Sequence, residues 1–75
     1  MNTFQELPKA LLWLRLNTHR KQYEVARAAG LTQAMLCSYE RGTRVPSLPS
    51  LGRLLAALGA SVEDLGRVLE RLRPP

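Results

Sequence analysis

The stretch QYEVARAAGLTQAMLCSYERG, residues 22–42, is rich in helix formers on both sides of a central glycine, Gly30. Glycine in place of alanine inside a helix costs roughly 1 kcal/mol, so Gly30 marks a corner rather than the middle of one long helix. A helix over about residues 22 to 29 offers Val25, Ala26 and Ala29 as its buried edge, and Gly30 follows as the residue able to take the left-handed C-cap conformation. Thr32 is placed to cap the next helix with its hydroxyl. Leu31 before it and Leu36 four residues beyond it are placed as a hydrophobic staple. That next helix, about Gln33 to Arg41, buries Leu36 and Tyr39 and turns Gln33, Ala34, Cys37, Ser38 and Arg41 outward before stopping at Gly42. Two short helices thus meet steeply at Gly30, Leu31 and Thr32, where the small Ala26 permits close approach.

Outward from this corner the pattern stays helical. Leu7, Leu11 and Leu14 recur at spacings of four and three, on one face of a first helix over about residues 6 to 18, with Pro8 near its start. Leu12, Trp13 and Leu16 fall off that stripe and read either as further core or as a patch for a protein partner. Beyond the loop TRVPSLPS, Ser47 is the N-cap expected for a fourth helix over about residues 48 to 58, with Leu51, Leu54, Leu55 and Leu58 inward and Gly59 closing it. Ser61 with Asp64 gives a capping-box signal for a fifth helix reaching about Leu72, with Val62, Leu65, Val68, Leu69 and Leu72 along one side. The expectation is an all-α, single five-helix domain over 1–75, its core at about 7–72.

Composition bounds the function. A chain of 75 residues with 45% apolar and 23% charged residues reads as one soluble globular domain, and 5% aromatic content favours helix. The formal net charge of +5 points to a polyanionic partner. One cysteine, Cys37, allows no internal disulfide, and with the single His19 it supplies no metal quartet. The apolar run Ala10 to Leu14 is five residues long, against the ~20 of a membrane crossing. A cytoplasmic protein with neither metal nor other cofactor is expected. Paired carboxylates in a cleft, a Cys/His couple and a glycine-rich phosphate loop are all missing from the sequence, which argues against an enzyme.

Gln22, Val25-Ala26, Gly30, Leu36, Glu40-Arg41-Gly42 and Pro46 stand at a spacing that resembles the Cro and phage-repressor type of helix-turn-helix, the xenobiotic response element family. The resemblance covers about residues 7 to 69 and implies a lambda-repressor-like fold and a transcriptional regulator of double-stranded DNA. In such proteins the second helix of the pair lies in the major groove while the first crosses the phosphate backbone. Carried over by position, it implies base contacts from Gln33, Ala34 and Ser38. Gln33 has independent merit, because its amide offers adenine both an acceptor and a donor. Gln22 would bind phosphate or brace Gln33, which makes the two glutamines neighbours in space. Lys21, Thr32, Arg41, Thr43 and Arg44 are the backbone-contacting or supporting residues. Residues 19–45 hold Arg20, Lys21, Arg27, Arg41 and Arg44 against only Glu24 and Glu40, so positive charge gathers around the expected reading surface.

Glu40 is expected to be structural. A carboxylate in the last turn of a helix opposes the local dipole and needs a partner, and the resemblance makes Arg15 that partner in a largely buried ion pair. The sequence departs from the family at Arg20, where an apolar residue is usual, and at Lys21, where a capping Ser or Thr is usual. The start of the second helix is therefore expected to be poorly defined, with charge from Arg20 and Lys21 replacing a backbone phosphate contact. Cys37 is expected to fill space, and His19 to end the first helix near phosphate. A homodimer on a palindromic site is expected, closed through Val68, Leu69 and Leu72. The alternative function is a protein-interaction module on the same fold, such as an antitoxin or an adaptor subunit, using Leu12, Trp13 and Leu16.

Overall fold

Every helix of this chain starts or stops at a residue that satisfies its free backbone groups. The structure, a computed structural model, describes residues 4–75. In chain order the helices are α1 (Leu7–Thr18), α2 (Gln22–Ala28), α3 (Gln33–Arg41), α4 (Leu48–Leu58) and α5 (Val62–Leu72). No strand forms among the described residues, so the all-α, five-helix expectation holds.

The hydroxyl caps fall where the sequence places them. Thr32 Oγ1 accepts from the Met35 N–H at 3.1 Å and Ser47 Oγ from the Ser50 N–H at 3.2 Å. At α5 the box is reciprocal: the Asp64 N–H donates to Ser61 Oγ at 3.0 Å and the Ser61 N–H to Asp64 Oδ2 at 2.8 Å. The Ser61 backbone N–H, with help from the Arg67 guanidinium and the Ser61 hydroxyl, holds the Asp64 carboxyl below its ordinary pKa. The start of α2 is better defined than its lysine suggests. The Glu24 carboxylate reaches back to accept from the Lys21 N–H at 2.8 Å, supplying one half of a capping box without a hydroxyl.

The corner is closed by backbone geometry. Gly30 sits at φ 70°, which lets the Leu31 N–H donate to the Ala26 carbonyl at 2.8 Å and the Gly30 N–H to the Arg27 carbonyl at 3.1 Å. These two bonds are a Schellman end, and they satisfy carbonyls that α2 would otherwise leave free. Gly42 at φ 81° closes α3 in the same way, the Thr43 N–H donating to the Ser38 carbonyl at 3.0 Å.

Leu11, Val25, Leu36 and Leu54 are the largest fully buried side chains, one from each of the first four helices. Burial of such a side chain contributes about 1.5–3 kcal/mol, so these four pin α1 to α4 around a single centre. Ala26 and Ala29 are also buried, consistent with the close approach of α2 to α3 and α4. α1 packs against α3, α4 and α5, which makes it the strut behind the corner.

Two expectations about α5 fail. Val62 is 73% exposed rather than inward. Helical period gives the direction in which a side chain points but not how far the neighbouring surface extends, and the first turn of α5 falls beyond it. Val68 and Leu69 are buried in the monomer's own core, with Leu72 packed half-buried against it. A dimer surface through Val68, Leu69 and Leu72 is therefore corrected: an apolar stripe that faces α1 within one chain is not available to a second.

Candidate nucleic-acid interface

The outward edge of α3 follows from its period. Gln33 and Ala34 begin the helix, Cys37 and Ser38 lie one turn on, and Arg41 lies a turn further along the same side. Gln33, Ala34 and Arg41 are exposed, while Cys37 and Ser38 are half-buried. This edge is not covered by the rest of the described fold. The Ser38 hydroxyl donates to the Ala34 carbonyl at 3.0 Å, which leaves its oxygen lone pairs as acceptors toward solvent. Ala34 presents only a methyl group.

Behind Gln33 four side chains are joined. Arg15 grips Glu40 with two parallel bonds, Nε to Oε2 at 2.7 Å and Nη2 to Oε1 at 3.0 Å. The pair is largely shielded, with 14% of the Arg15 side chain and 5% of the Glu40 side chain exposed. The hydrogen bond to Glu40 raises the Arg15 pKa above its ordinary value, with burial opposing. A guanidinium is charged at every accessible pH, so the lock does not titrate through Arg15. Arg15 Nη1 also donates to the Arg20 carbonyl at 3.2 Å, tying the α1–α2 loop to the same group. Gln22 Nε2 donates to Glu40 Oε1 at 3.0 Å, and Gln33 Nε2 stands 3.5 Å from Gln22 Oε1. The two glutamines are neighbours, as their positions imply.

The remaining expected residues flank this chain rather than join it. Lys21, Arg41, Thr43 and Arg44 are exposed, and no ion pair holds the side chains of Lys21, Arg41 or Arg44 among the described residues. Thr43 Oγ1 donates to the Ser38 carbonyl at 3.3 Å, and Thr32 is engaged in capping α3. Arg20 is a correction. Its Nη1 donates to the Ala57 carbonyl at 2.6 Å, so its guanidinium serves the C-terminal turn of α4 instead of a phosphate site. His19 ends α1 with φ 58°. Trp13 and Leu16, left open between core and surface, are 43% and 56% exposed, and Leu12 is half-buried.

Sequence reasoning missed Arg53. Its Nε donates to the Ala29 carbonyl at 3.2 Å and its Nη2 to Ser50 Oγ at 3.2 Å, so α4 caps the end of α2 from outside. A cation near a helix C-terminus is favourable, but the helix in question is remote in sequence, and no local spacing signals the contact.

Two short helices meeting at a glycine corner, with an uncovered, cation-flanked edge on the second, define a helix-turn-helix. The chain belongs to the Cro/C1-type helix-turn-helix family, whose family model, described as helix-turn-helix, matches residues 11–65. It is thereby a DNA-binding domain of a kind typical of transcriptional regulation. No curated protein and no solved structure matches the chain. Among the described residues no helix is long and apolar enough to cross a membrane.

Proposed function

We propose that the protein is a sequence-specific regulator of double-stranded DNA that lays α3 in the major groove. The supporting observation is the braced glutamine: Gln33 is exposed at the first turn of α3, yet its amide is backed by Gln22 and, through it, by a shielded ion pair. A reader of base edges needs this combination of access and fixed orientation. Gln33, Ala34 and Ser38 contact bases, Ala34 offering its methyl to a thymine methyl. Lys21, Arg41 and Arg44 meet phosphates on either side of the groove, with Gln22 and Thr43 beside them. Thr32, Arg15 and Glu40 hold the frame. Three phosphate contacts per subunit give log K against log salt a slope of roughly −3.

The regulator acts as a homodimer on two half-sites about one helical turn apart, since doubling the contacts of so small a domain is the direct route to useful affinity. Surfaces other than Val68 and Leu69 close that dimer. Selecting sites from a random duplex pool tests both points, with paired, symmetric half-sites as the expected product and an unpaired or featureless pool as the refuting one. A second reading, a protein-interaction module, draws on exposed Trp13 and Leu16. Trp13 also lines a groove of about 390 Å³ with Leu58 and Val68. Binding to random duplex that is absent, or indifferent to salt, would favour that reading.

A further inference from the structure

Arg15, Glu40, Gln22 and Gln33 form a directed chain of hydrogen bonds from the interior to the exposed start of α3, and its direction is imposed from the buried end. An ionised carboxylate has no hydrogen to give, and both oxygens of Glu40 already accept from Arg15. Gln22 can therefore approach Glu40 Oε1 favourably only with its amide nitrogen, as it does at 3.0 Å. That orientation turns Gln22 Oε1 toward Gln33, whose Nε2 faces it at 3.5 Å. Flipping Gln22 would set its carbonyl oxygen against a carboxylate. Flipping Gln33 alone would set two carbonyl oxygens face to face.

We infer that Glu40, held by Arg15, is a positioning residue that fixes the amide polarity of Gln33, so that Gln33 presents its oxygen to the duplex and selects adenine over guanine. Adenine offers the N6 amino donor beside the N7 acceptor, whereas guanine offers two acceptors, O6 and N7. An amide with its oxygen outward pairs with the first and is repelled by O6 of the second. An amide free to flip would turn its nitrogen to guanine and lose the distinction. Glu40, with its side chain almost wholly shielded, acts on base choice through two intervening amides. The inference rests on the reading of α3 as the element in the groove.

The test compares affinities for sites differing only at the base pair whose preference disappears in Gln33→Ala. The adenine-to-guanine affinity ratio there is measured for the wild type, for Gln22→Met and for the double variant Arg15→Met/Glu40→Met. The double variant removes both charges together and leaves neither one buried alone; Gln22→Met leaves the ion pair intact. Helix content by circular dichroism shows which variants are folded, and a folded variant decides the result. The wild-type ratio is expected to be about 5- to 150-fold, falling to about threefold or less in the folded variants. An unchanged ratio overturns the inference, including one that accompanies an equal loss of affinity for every duplex, since that would mark a merely structural role. A wild type that prefers guanine overturns it as well. If the wild type selects no site, or Gln33→Ala changes no preference, the groove reading fails and takes this inference with it. If both of those succeed and only the ratio stays fixed, this inference alone fails.

Discussion

Removing Arg15 while keeping Glu40 is the sharpest perturbation of this fold. In Arg15→Met the Glu40 carboxylate loses its two charged donors, at 2.7 and 3.0 Å, and keeps only the neutral amide of Gln22 at 3.0 Å. The carboxylate remains in a site that leaves 5% of its side chain exposed. Stranding one member of a shielded pair costs about 3–5 kcal/mol. A 75-residue domain has a total stability of only about 4–11 kcal/mol, so the loss is a large fraction of the whole. Each kcal/mol lowers Tm by about 4–8 °C at this size, which places the fall at ~12 °C or more. Replacing both partners, in Arg15→Met/Glu40→Met, strands no charge, freeing only the neutral Arg20 carbonyl and Gln22 amide, and is expected to stay within about 1 kcal/mol of wild type or above it. Urea unfolding followed by circular dichroism gives both differences, and with Glu40→Met as the fourth corner the double-mutant cycle gives a coupling of at least ~2 kcal/mol. A double variant as unstable as Arg15→Met, or a single variant within about 0.5 kcal/mol of wild type, refutes the view that the pair locks α1 to α3.

The other expectations concern the interface and the corners. Gln33→Ala lowers discrimination between selected and random duplex more than it lowers affinity for random duplex, whereas Arg44→Ala weakens all duplexes alike and reduces the salt slope by about one unit per bound subunit; equilibrium binding across a salt series reads both. Arg20→Met lowers stability by about 1.5–3 kcal/mol through loss of the charged bond to Ala57, yet leaves the salt slope in place, because that guanidinium faces α4. Gly42→Ala costs more in thermal unfolding than Gly30→Ala. Both strain a left-handed backbone by about 1–2 kcal/mol, but at Gly42 the new Cβ would also stand 3.2 Å from Pro8 Cγ, while at Gly30 it meets nothing within 4 Å. For Asp64, a depressed folded-state pKa means that its contribution to stability is complete above the unfolded-state value and is lost as pH falls through the folded-state value; NMR titration of its carboxyl should give a midpoint below the ordinary ~3.9, and an ordinary midpoint in the folded protein would contradict the box geometry.

Much of this was legible because the information is local. Thr32, Ser47 and Ser61 cap helices through their own side chains, and Gly30 and Gly42 carry a backbone conformation that few other residues accept. The glutamine pair and the Arg15–Glu40 lock were legible for another reason, since their places follow from the resemblance. What could not be read depends on where remote surfaces end. Val62 continues the apolar period of α5 past the surface available to it, and Val68 and Leu69 are apolar at positions that suit a core and an interface equally. Arg20 and Arg53 look like free surface charge in the sequence, but each meets a carbonyl on a helix distant in the chain. Glu24 stands where a capping box wants an acid, three residues after Lys21, and the missing hydroxyl concealed that half of the signal.

If the uncovered edge of α3 is the surface that meets DNA, backbone amide NMR of the labelled protein, titrated with duplex DNA at low salt, will locate the contact there. The predicted result is a continuous set of perturbed amides at Gln33, Ala34 and Ser38, extending to Gln22 and to Thr43 and Arg44, with the Trp13 and Leu16 side of the molecule unchanged. Perturbations centred on that opposite side, or none at any duplex concentration, would contradict it.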